Sequence, residues 1–77
     1  MNNGERATGT PDHHYDLISV LYHALQGGET SQLYIEDARK AGDEELATFF
    51  EQVQTEDRNR AQRGQQLLAA RVQATVR

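Results

Sequence analysis

One break divides this chain. Ala41-Gly42-Asp43 separates two stretches in which apolar or small residues recur every three or four positions, and no proline occurs after Pro11. That spacing is the period of an α-helix with one face turned to a core. In the first stretch the stripe is Leu17, Leu21, Ala24, Gly28, Ser31, Ile35 and Ala38, with Ile18, Val20 and Leu25 widening it toward the core. In the second it is Leu46, Phe50, Val53, Asp57, Arg60 or Ala61, Gly64, Leu68 and Val72, flanked by Phe49 and Leu67. No segment shows the period of two that a half-buried strand requires. The pattern predicts an all-α chain with a helix over about 12–41, a turn at 42–43 and a helix over about 44–73.

Local signals agree. Thr10-Pro11-Asp12 offers a hydroxyl N-cap, a proline at the first helical position and an acid in the first turn, with Asp12 an alternative cap one step later. Gly42 can take the left-handed conformation that closes a helix, and Asp43 can cap the next, whose first turn carries Glu44 and Glu45. So short a connection makes the two helices antiparallel neighbours. Gly27 and Gly28 interrupt the first helix at a cost of about 1 kcal/mol each relative to alanine. A continuous helix is expected, because Ala24, Gly28 and Ser31 form a run of small residues suited to close approach. The alternative is a break at the glycines that leaves three shorter helices.

Residues 1–11 are polar, and the reading for them is a disordered arm. The roughly 65 residues that remain are near the lower limit for a self-sufficient core. A hairpin also leaves part of each stripe in water, here some combination of Leu17, Leu21, Ile35, Phe49, Phe50, Val53 and Leu68. A second copy related by a two-fold axis covers that strip and makes a four-helix bundle. A homodimer is therefore the expected state, with a higher homo-oligomer or a different protein partner as rivals.

Composition narrows the function. Twelve acids against eight bases give a net charge of −4. Nucleic acid is thus not the expected partner, although Arg58, Arg60, Arg63, Arg71 and Arg77 make the tail locally basic. There is no cysteine, hence no disulfide or thiolate metal site. No apolar run approaches the about 20 residues of a membrane span, so a soluble, cytoplasmic protein is expected. No serine or threonine has a motif placing a base beside it, and no glycine-rich loop follows a strand. The residues do not point to an enzyme.

From Leu21 to Leu68 the chain resembles the first half of a rubrerythrin-type ferritin-like domain. The resemblance is carried best by Tyr34-Ile35-Glu36-Asp37-Ala38-Arg39-Lys40-Ala41-Gly42 and then Ala47-Thr48-Phe49-Phe50-Glu51. It implies a ferritin-like four-helix bundle holding a carboxylate-bridged pair of iron or manganese ions. The ligands there are an inward Glu from one helix and a Glu-x-x-His motif from the next. This chain contains no Glu-x-x-His. Counted from the Gly42 turn, the first Glu falls on Ala24, and the Glu and His fall on Asp57 and Arg60. A slip of register brings in Glu29 or Glu56 but restores no histidine, and an arginine cannot ligate a cation.

Two functions follow. The first is a small ferritin-like homodimeric structural or interaction module without a standard di-iron site and with no cofactor. In it Asp57 and Arg60 form a core polar pair that sets register across the dimer. The alternative is a metal-binding ferritin-like protein, a ferroxidase or a metal store, with iron or manganese shared between chains. Its candidate ligands are His23, Glu29, Glu56 and Asp57, and symmetry would double every carboxylate, Glu36, Asp37 and Glu51 included. His13 and His14 point to different sides of a helix and suit no shared site. Tyr15, Tyr22 and Tyr34 are expected at the bundle edge with their hydroxyls in water.

Overall fold

The computed structural model describes residues 12–76, so the arm at 1–11, the Thr10-Pro11 start signal and Arg77 lie outside the described residues. Two helices, α1 (His13–Lys40) and α2 (Glu44–Val76), pack against each other along their length. Among the described residues there is no strand. No helix there is long and apolar enough to cross a membrane.

Each helix end is closed by its own residues. Asp12 caps α1: the Tyr15 amide donates to Asp12 Oδ1 at 2.9 Å, and the Asp16 amide to the Asp12 carbonyl at 3.1 Å. At the other end Gly42 has φ +76°. Its amide donates to the Arg39 carbonyl at 3.0 Å, and the Asp43 amide to the Ala38 carbonyl at 2.9 Å. These are the two bonds of a Schellman closure, and they satisfy carbonyls that the helix end would otherwise leave open. Asp43 also starts α2, its carboxylate accepting from the Leu46 amide at 3.0 Å. One residue thus ends one helix and begins the next, which turns the chain back on itself.

α1 runs unbroken through Gly27 and Gly28. The glycines face α2 side chains. A Cβ on Gly27 would stand 2.7 Å from Asp57 Oδ2, nearer than carbon and oxygen tolerate. Gln54, buried on α2, donates from Nε2 to the Gly28 carbonyl and to Gln32 Oε1, both at 3.1 Å. Further along, a Cβ on Gly64 would touch Leu21 at 3.5 Å. Close approach and this side-chain staple offset the weak helix propensity of glycine.

The seam between the helices is made of small residues. Leu21, Ala24, Ile35, Ala38, Ala47 and Ala61 are its buried apolar side chains, with Ser31 and Gln54 the buried polar ones. The α1 line follows the stripe read from the sequence, with Leu17 half-buried at its start. The expected α2 stripe holds at Ala61 and Gly64, which are buried, and elsewhere is shifted by about one residue: Ala47 and Gln54 are buried, whereas Leu46, Arg60 and Val72 are exposed and Phe50, Val53, Asp57 and Leu68 lie at the flank. Helices packed side by side favour small side chains on the contact line, and the longer Leu21, Ile35 and Gln54 fit where a small residue faces them or, for Gln54, where its amide is bonded across the seam. Ile18, Val20 and Leu25 likewise stand in solvent instead of widening the core. Leu21 and Ile35, expected on the open strip, are buried inside the hairpin.

Candidate functional site

Two faces of the hairpin draw on both helices at once, one on each side of the seam. Gly27 and Gly28 mark them. The first looks toward Asp57 and the second toward Arg58.

The Gly27 side carries apolar residues on both helices. Val20, Gly27 and Tyr34 are spaced by seven on α1, with the cap residue Ala41 next in step, and Leu46, Val53, Arg60 and Leu67 are spaced by seven on α2, so each set forms one line. The lines meet near the turn. Tyr34 and Phe50 have ring centroids 5.6 Å apart, and Phe50 and Phe49 have theirs 5.9 Å apart. A shallow depression of about 300 Å³ lies here, lined among others by Tyr34, Ala41, Leu46 and Phe50. Phe49 leaves 55% of its surface in water. At mid-length the lines carry a charge pair: Arg60 Nη1 donates to Asp57 Oδ1 at 2.7 Å. Asp57 is 16% exposed at its side chain, held down against Gly27, while Arg60 is 51% exposed.

The Gly28 side is polar where the helices meet. Arg39 bridges to Glu51 at 2.6 Å near the turn, and Gln32 meets Gln54 behind it. A groove of about 450 Å³ follows, lined by Ala24, Leu25, Gly28, Glu29, Arg58 and Ala61, among others. On this side α1 presents most of the large apolar groups, and α2 adds Val72, 52% exposed. Tyr15, Ile18, Tyr22 and Leu25 form an exposed stripe at steps of three and four.

Within one hairpin the four candidate ligands do not meet. Asp57 is engaged by Arg60 on the Gly27 side. Glu29 lines the groove on the opposite side. Glu56 borders a hollow with Thr48, Glu51, Gln52 and Thr55 along α2. The Nδ1 of His23 donates to the Ser19 carbonyl at 2.8 Å, one turn back on its own helix. Among the described residues no three His, Asp or Glu side chains are grouped to hold an ion. A carboxylate already paired with an arginine is a poor ligand, so the residues of a single chain do not fit the di-metal centre that the ferritin-like resemblance implies. The feature that the sequence did not single out is Gln54, which is buried and ties the helices together.

No protein-family model matches the chain, and the searches of curated proteins and of solved structures return no match.

Proposed function

We propose that the chain is a structural and interaction module whose working form is a bundle completed by a second copy. One observation carries this reading: the hairpin buries alanines and leaves its large apolar side chains outside. Of the six buried apolar residues four are alanine, and no large side chain is fully enclosed. Tyr34, Phe49, Leu46, Ile18, Leu25 and others remain exposed. At about 25 cal/mol per Å² of apolar surface, covering even three or four of these contributes several kcal/mol that the single hairpin forgoes. The seam supports a pair of helices; the faces call for a second layer.

A four-helix bundle of ferritin-like type, made from two hairpins, is the simplest arrangement that provides this layer. In it the Asp57–Arg60 pair lies near the middle of the assembled core and acts in positioning, with no metal or reaction assigned to it.

If folding and association are coupled, stability depends on protein concentration. Chemical unfolding followed by far-ultraviolet circular dichroism should show a urea midpoint that rises steadily over a hundredfold range of protein concentration. A midpoint that stays constant over that range rejects the proposal.

A further inference from the structure

The two faces of the hairpin are chemically unequal, and that inequality identifies the docking surface. We infer that a second copy seats on the Gly27 side, against Tyr34, Leu46, Phe49 and Val53, and that the Gly28 side faces water in the assembly. This inference rests on the self-association proposed above and specifies its surface.

Area sets the scale. A stable interface of standard size takes about 800 Å² from each partner. A surface that large must involve both helices over much of their length.

The Gly27 side meets that demand and the Gly28 side does not. On the Gly27 side each helix contributes a mainly apolar line, Val20 to Tyr34 on α1 and Leu46 to Leu67 on α2, with the Tyr34–Phe50–Phe49 cluster at one end. Burying the apolar members costs little desolvation, and the charged cost on this side falls on the Asp57–Arg60 pair and on Asp37 and Asp43 beside the depression. On the Gly28 side α2 presents Glu51, Arg58 and Gln65 before a single apolar residue, Val72, and the Arg39–Glu51 bridge already spans the helices. Covering that side would strip water from charged groups that keep it in the free hairpin. The Tyr15–Ile18–Tyr22–Leu25 stripe is the rival, but it belongs to one helix and covers only its first half.

Charge permits a second copy on this side, as the Arg39–Glu51 pair would on the other. Asp57 and Arg60 place one negative and one positive group at the middle of the Gly27 side, with Arg60 half-exposed. In an isologous interface each copy meets the same patch of the other. An arrangement carrying both signs is complementary to itself, so two such faces can meet without net repulsion.

The test uses two matched substitutions in the full chain. Phe49 is 55% exposed and Leu25 47% exposed, so a glutamate at either leaves the seam of the hairpin intact. Dimer dissociation constants are measured by sedimentation equilibrium for the wild type, F49E and L25E. Loss of a buried aromatic anchor predicts a dissociation constant raised about thirtyfold or more for F49E, and one within about threefold of wild type for L25E. Equal weakening by both, or greater weakening by L25E, overturns the assignment of the face while leaving self-association standing. A wild type that is monomeric throughout removes the assembly itself, and the face with it.

Discussion

At the scale of single residues, two adjacent glycines play different parts. Gly27 lies under the Asp57 carboxylate, where a methyl group would stand 2.7 Å from Oδ2. At Gly28 the nearest side-chain atom is Arg58 Cγ at 3.9 Å, an ordinary contact. Replacing a helical glycine by alanine stabilises by about 1 kcal/mol where nothing opposes it. Gly28→Ala should therefore raise stability by about 0.5–1 kcal/mol in urea titration at fixed protein concentration. Gly27→Ala should gain much less or lose, because Asp57 must move while Arg60 holds it. In an Asp57→Ala background Gly27→Ala should recover its full gain, a coupling that a double-mutant cycle reads directly. Equal effects of the two alanines in wild type would contradict the close contact. The structure puts Asp57 against Gly27. Counting from the Gly42 turn could not tell which glycine meets the carboxylate, since adjacent residues on a helix point about 100° apart.

Elements were legible where the signal is local. Gly42 and Asp43 close one helix and open the next through bonds within six residues, and such chemistry can be read from a few letters. A Cβ at Gly42 would meet nothing within 4 Å, so only its backbone conformation opposes a side chain there. Gly42→Ala should accordingly cost about 1–2 kcal/mol, the strain of a left-handed residue, visible as a lower urea midpoint. An unchanged midpoint would mean that the turn relaxes freely. The facing of α2 was not legible in the same way. Periodicity located its stripe and held at Ala61 and Gly64, but it put Leu46 and Val72 on the contact line, and the structure buries Ala47 and Gln54 instead. Which side of a helix meets its neighbour depends on what the neighbour offers at each level, which a single helix's periodicity does not carry.

For the molecule as a whole, shape carries the functional reading. The radius of gyration is 16.3 Å, against about 11 Å for a compact domain of this length. The chain is a single layer of two helices, and the side chains that would make a second layer adhere are already on its surface. Metal content bears on the ferritin-like alternative. Elemental analysis of protein purified without a polyhistidine tag should find iron and manganese well below one ion per chain, and removing divalent ions with a chelator should leave the thermal midpoint unchanged. Stoichiometric metal lost together with stability would instead favour a site shared between copies, drawing on residues such as His23, Glu29, Glu56 or Asp57 that one hairpin keeps apart. The candidate ligands could not be sorted by sequence alone, because helical spacing says which residues share a face but not whether an arginine has already claimed the carboxylate. The most direct check of the account is the mass of the folded species in solution. Sedimentation equilibrium at micromolar concentration, with helicity monitored on the same samples, should give about twice the 8.7 kDa of one chain. A fully helical particle with the mass of a single chain would contradict it.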